Sequence, residues 1–197
     1  MTLYPVSRAF CAAFLKIFFG LRVVGRENIP AKGGFILAGN HVSYLDPPAV
    51  GSGCLRSVHF MARHDLFKIP VLGWWLRSVG VFEVKRESAD VSAMKQAIRC
   101  LKNGEGLALF PQGRRSGIEN LEQDIQAGVG FIAQKSAVPV VPVFVKGTEK
   151  ALPKGARFFK RALITVRFGK SIVIGKEMSY QDAAAWIAVE IKKLSEL

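Results

Sequence analysis

Gly34-Phe35-Ile36-Leu37-Ala38-Gly39-Asn40-His41-Val42-Ser43-Tyr44-Leu45-Asp46-Pro47-Pro48 runs from an apolar segment into a polar turn and then into a proline pair. Residues 34–38 read as a buried strand, because the run is apolar and too short for a helix. Asp46 sits at the mouth of the next helix, and Pro47-Pro48 favour a sharp, rigid turn there. Outward from this stretch, further strands are predicted at 57–62, 80–84, 106–110, 140–146 and 162–168. Helical patterns alternate with them. One is predicted over 90–103, with Val91, Met94, Ile98 and Leu101 as its inner face, Ser88 or Asp90 as cap and Gly104 as stop. Another spans 124–136. The last opens on a capping box, Ser179 with Asp182, and buries Ala184, Ile187, Ile191 and Leu194. Alternating strands and helices predict an α/β fold, a single domain with a largely parallel central sheet flanked by helices. Ligands of such sheets collect beyond the carboxyl ends of the strands. Three unusual clusters fall there: Asn40-His41, Lys85-Arg86, and Pro111-Gln112-Gly113-Arg114-Arg115.

The chain has 197 residues, room for one real core, and half of them are hydrophobic, which excludes a disordered chain. Lys and Arg number 28 against 15 Asp and Glu, a formal charge of +13. Such an excess draws a protein toward an anionic partner: a phospholipid surface, nucleic acid or an acidic carrier protein. Cys11, Cys54 and Cys100 offer neither a disulfide framework nor a CxxC site and fit a reducing compartment. No His/Cys/Asp/Glu group has zinc spacing, so no metal site is expected. Near the N-terminus, Phe10, Phe14, Leu15, Ile17, Phe18 and Phe19 interleave with Arg8, Lys16 and Arg22. Lys16 breaks this apolar run well short of the roughly 20 residues of a spanning helix. An amphipathic helix fits, either in the headgroup layer of a membrane or packed on its own domain.

Of the three histidines, His41 alone has an Asp five residues on. A hydroxyl acting as a nucleophile needs a neutral imidazole to take its proton. That imidazole in turn needs a carboxylate on its other nitrogen. His59 and His64 read as structural or surface residues. Arg114-Arg115, after a strand and beside the permissive Gly113, read either as an anion clamp or as a solvated basic turn. Lys85-Arg86 have the competing partners Glu83 and Glu87. Asn40 either orients the loop or only turns it. Trp74-Trp75 fit core packing ahead of a lipid boundary, and Arg157, Phe158, Phe159, Lys160 and Arg161 fit headgroups, an acidic carrier or plain solvation.

Four blocks, in order, resemble those of the 1-acylglycerol-3-phosphate acyltransferase family. They are Asn40-His41 through Asp46, Gly80 through Arg86, Phe110-Pro111-Gln112-Gly113-Arg114-Arg115-Ser116, and Val138-Pro139-Val140-Val141-Pro142. The resemblance implies a glycerolipid acyltransferase-like fold, with residues 1–22 as a membrane-associating helix and 23–197 as the acyltransferase domain. It implies His41 as general base and Asp46 as its partner. Arg86 and Arg115 would hold the acceptor phosphate, with Gly113, Arg114 and Lys85 beside them and Gln112 and Asn40 at the margin. Donors would be thioesters of acyl carrier protein or coenzyme A, the acceptor lysophosphatidic acid, and no cofactor is needed. The expected location is the cytoplasmic face of the cell membrane, peripheral or monotopic, on an anionic surface. Two departures bear on the acceptor: the family usually has Glu in place of Gln112 and Thr in place of Arg114. Rival acceptors are glycerol 3-phosphate, dihydroxyacetone phosphate or another lysolipid, and a lipid-binding protein without catalysis is a further reading. A nucleic-acid binder is disfavoured, since no binding motif accompanies the charge.

Overall fold

The computed structural model describes residues 3–85 and 90–197. It opens with α1 (Tyr4–Phe19), β1 (Arg22–Val24), β2 (Phe35–Gly39), α2 (Asp46–Gly53) and β3 (Val58–Arg63). Next come α3 (Pro70–Ser78), β4 (Phe82–Val84), α4 (Val91–Lys102), β5 (Gly106–Leu109), α5 (Leu121–Asp124) and α6 (Gly128–Ser136). The chain closes with β6 (Val140–Lys146), α7 (Thr148–Ala151), β7 (Thr165–Phe168) and α8 (Tyr180–Lys193).

Among the described residues the strands form one sheet in the order β1-β7-β6-β2-β5-β3-β4. The run from β6 to β4 is parallel throughout, while β7 is antiparallel to β6 and pairs in parallel with β1. β2 is central, which explains its unbroken apolar sequence: both faces are covered. Phe35 and Leu37 point into a core shared with α1 and α2. Ile36 and Ala38 point the other way, into the core beneath α4, α6 and α8. All four are at most 1 % exposed. Alternation along one strand thus feeds two separate helical layers.

Several local expectations shift. In α4 the buried face is Ala93, Ala97, Cys100 and Leu101, whereas Val91 is 56 % exposed and Met94 and Ile98 are half-buried. Of the expected stripe Leu101 is buried and Ile98 packs partly on the same core, while the rest of the seat goes to small residues. A Cβ on Gly34 would collide with the Leu101 carbonyl. Asp90 caps this helix by accepting from the Ala93 N–H at 3.0 Å; the other cap candidate, Ser88, lies outside the described residues. The helix expected over 124–136 is instead α5 and α6, separated where Ile125 takes an extended conformation. That break frees the Gln126 N–H to donate to the Pro111 carbonyl at 3.0 Å, bracing the loop after β5. The last helix does begin with the Ser179 hydroxyl accepting from the Asp182 N–H, and it buries Ala184, Ile187 and Ile191, with Leu194 half-exposed. β1 and α3 have no counterpart in the sequence reading: the first is a three-residue edge, the second a short nine-residue helix started by Pro70.

α1 packs against α2 and buries Tyr4, Leu15 and Phe19 in the same core as β2. Its other face leaves Phe10, Ile17 and Phe18 exposed. No helix among the described residues is long and apolar enough to cross a membrane. The two tryptophans divide: Trp75 donates its indole N–H to the Ser7 hydroxyl at 3.1 Å, while Trp74 is 62 % exposed beside Val71. At the amino ends of the parallel strands, His59, Cys100 and Glu105 converge, although no metal-ligand spacing joins them in the sequence.

Candidate active site

β2 and β5 are neighbours, so the loops leaving them share one wall at the carboxyl end of the sheet. The loop after β2 folds back on itself. The His41 ring Nδ1 lies 2.8 Å from Asp46 Oδ2. That oxygen also accepts the N–H groups of Val42 and Ser43, at 2.7 and 2.8 Å. The other carboxylate oxygen accepts the Thr148 hydroxyl at 2.5 Å. Asp46 is fully buried, whereas the His41 side chain is 17 % exposed. A carboxylate can only accept, so Nδ1 carries the proton and Nε2 keeps its lone pair. The ring is further held by stacking on Phe110, 4.5 Å between centroids at 26°. This arrangement can take a proton at Nε2 and stabilise the resulting cation through a buried, fully hydrogen-bonded anion.

Gln112 clasps the two loops together. Its side-chain oxygen accepts the His41 N–H at 3.1 Å, and its amide donates to the Ser116 hydroxyl at 2.7 Å and the Gly117 carbonyl at 3.1 Å. The Ser116 N–H returns a bond to the His41 carbonyl at 2.9 Å. A carboxylate at this position would meet the Gly117 carbonyl acceptor to acceptor, so the amide suits this loop. Gln112→Leu is expected to cost about 2–4 kcal/mol by stranding buried partners. Thermal unfolding should therefore fall by about 5–15 °C. An unchanged melting temperature would remove Gln112 from the loop architecture. Gly113 follows at φ 64, a left-handed conformation that favours glycine.

Asn40 does more than turn the chain. It is 1 % exposed, donates to the Val145 carbonyl at 2.9 Å and accepts the Val145 N–H at 2.8 Å, extending the β2–β6 ladder by a side-chain rung. Ser43 donates to the Leu152 carbonyl at 2.9 Å, which ties the same loop to the segment after α7. Thr148 was not anticipated at all. It lies 102 residues from Asp46, and a lone Thr after a strand carries no sequence signal.

The cationic candidates separate. The Arg115 guanidinium lies 3.8 Å over the exposed Tyr44 ring, on the loop that bonds His41. Arg114 points elsewhere, paired with Asp124 at 2.6 Å, and that arginine holds the Asp124 carboxyl below the usual range. Lys85 follows β4 at the sheet edge, three strand spacings or about 14 Å from β2. Its backbone N–H donates to Asp90 at 3.0 Å and its side chain is exposed. Arg86 lies outside the described residues. The Val-Pro block becomes the start of β6, where Val141 and Val143 fill the core beside β2.

A family profile for acyltransferases matches residues 20–146. The chain is 32 % identical to a 1-acyl-sn-glycerol-3-phosphate acyltransferase of Bacillus subtilis, over 83 % of this chain and 81 % of that one. The enzyme of the same name from Streptococcus pneumoniae is 30 % identical over 82 % of this chain, which spans 61 % of it. The crystal structure of the 1-acyl-sn-glycerophosphate acyltransferase PlsC from Thermotoga maritima superposes with a TM-score of 0.77 at 28 % identity, covering 98 % of this chain and 78 % of that one. With the profile matching well over half of the chain, His41 and Asp46 included, the chain belongs to the acyltransferase family.

Proposed function

We propose that the protein moves a fatty acyl group from an acyl thioester to the free hydroxyl of 1-acylglycerol 3-phosphate, giving phosphatidic acid. The observation that carries this reading is the His41–Asp46 contact at 2.8 Å on the wall that also bears Arg115. The acceptor hydroxyl gives its proton to His41 Nε2 as its oxygen attacks the thioester carbonyl. Collapse of the tetrahedral intermediate breaks the C–S bond, and the imidazolium returns the proton to the leaving thiolate. Arg115 pairs with the acceptor phosphate, a geometry that a guanidinium fork suits. Gly113 allows close backbone approach beside it, and the exposed Lys85 adds positive charge at the sheet edge. The thiol carrier is acyl carrier protein or coenzyme A.

The test is a donor-by-acceptor panel with purified protein, read by mass spectrometry of the products. Lysophosphatidate should be the preferred acceptor; preference for glycerol 3-phosphate would reassign the acceptor, and no transfer from any thioester would end the enzymatic reading. Arg115→Ala should raise the acceptor's apparent KM by about 10–100-fold with little change in kcat, the loss of one charge-assisted pair. A fall in kcat alone would take Arg115 off the phosphate.

We further propose that α1 rests in the headgroup layer at the cytoplasmic face of the cell membrane. Phe14 links the exposed Phe10, Phe18 and Phe159 rings at 6.5, 4.9 and 5.7 Å, and the exposed Lys160 and Arg161 flank them. A bulky apolar ridge with basic margins is the pattern of an interfacial helix. Phe10→Asp with Phe18→Asp should weaken co-sedimentation with anionic vesicles by tenfold or more, from about 1.5–3 kcal/mol per buried aromatic. Undiminished binding would move the contact elsewhere.

A further inference from the structure

His59 sits near the start of β3, Glu105 just before β5, and Cys100 in the last turn of α4. Their potential ligand atoms lie within 4.8 Å of one another, on the sheet rim opposite His41. The His59 ring is already oriented. It stacks on Phe82 at 4.7 Å, and its Nδ1 lies 2.6 Å from the Gly80 carbonyl. A carbonyl only accepts, so Nδ1 must be the donor and Nε2 faces the cluster. His59 is 9 % exposed, and its Nε2 is buried without a hydrogen bond. Glu105 Oε2 is 3.4 Å from that nitrogen. Metal-bound histidines show this same bracing, one ring N–H held by a backbone carbonyl and the other nitrogen on the ion.

We infer that His59, Cys100 and Glu105 form a binding site for a divalent cation of the zinc class, with a fourth position open to solvent beside the half-exposed Glu105. The distances fit. Zinc bonds of about 2.0–2.2 Å to nitrogen and carboxylate oxygen at a tetrahedral angle separate the two by roughly 3.4 Å. The mixed S, N and O donor set suits zinc better than magnesium or calcium, which prefer all-oxygen cages. Burial, followed by Glu105, pushes the Cys100 thiol up, so the sulfur stays protonated when no cation is bound. On binding, the thiol proton leaves to solvent and an S–metal bond replaces the S–H bond. The bound ion joins the end of α4 to β3 and the entry to β5, far from the acyl-transfer chemistry.

The probe is Co²⁺, titrated into the full chain after chelation and dialysis. A thiolate-to-cobalt absorption band in the near ultraviolet should grow to one equivalent and collapse when Zn²⁺ is added. Cys100→Ser should abolish the band, and Glu105→Gln, changed at the exposed ligand and sparing the core, should weaken binding tenfold or more. Zn²⁺ should raise the melting temperature of the wild type and not of Cys100→Ser. No band in the wild type would leave a plain histidine–carboxylate pair and overturn the site. A band that persists in Cys100→Ser, or is indifferent to Glu105→Gln, would place the metal elsewhere and overturn it equally.

Discussion

Replacing His41 with alanine is expected to lower acyl transfer by about 10²–10⁴-fold, the usual range for losing a positioned general base. The acceptor's KM should change little, because the phosphate contacts of the proposal lie on the loop after β5. The fold should survive: the His41 side chain makes one hydrogen bond and one ring stack, while its backbone bonds to Gln112 and Ser116 are untouched by the change. Steady-state kinetics on a variant with normal circular dichroism provide the check. Transfer within about tenfold of wild type would show that another group takes the proton.

Asp46→Asn is expected to be nearly as damaging, at about 10²–10⁴-fold in kcat, and more damaging to stability. The carboxylate receives four hydrogen bonds, from His41, Val42, Ser43 and Thr148. An amide keeps one accepting oxygen. If its nitrogen faces the backbone, the Val42 and Ser43 N–H groups lose their acceptor and so does His41 Nδ1–H. If it faces Thr148, the hydroxyl must turn, and the imidazolium formed in the reaction still loses its buried counter-charge. Each stranded group costs about 1–3 kcal/mol. Melting curves separate this cost from the kinetic one. A variant that both melts and turns over like the wild type would reduce Asp46 to a turn residue.

Strands covered on both faces were legible in the sequence as short apolar runs bounded by turn residues, whereas the exposed three-residue edge β1 was not. The rotation of α4 was not legible. Its pattern offers a bulky stripe and a small-residue stripe, and the buried face runs between them, taking Leu101 from the first and Ala93 and Ala97 from the second. The break between α5 and α6 was hidden as well, since it serves the Pro111 carbonyl far away in sequence. At the site, the local spacing of His41 and Asp46 could be read directly, being five residues apart. Thr148, the Asn40–Val145 rung and the Gln112 clasp could not. Each depends on which strands are neighbours, and strand order is not written in any one segment.

The parallel sheet ends at β4, which has a hydrogen-bonding partner, β3, on one side only among the described residues. Lengthening or tilting such a border strand is absorbed at the perimeter. The β2–β5 pair, and the imidazole seated between their loops, stay where they are. On the proposed reading, the basic residue that follows this border strand, Lys85, can therefore be exchanged without retuning the base at the centre.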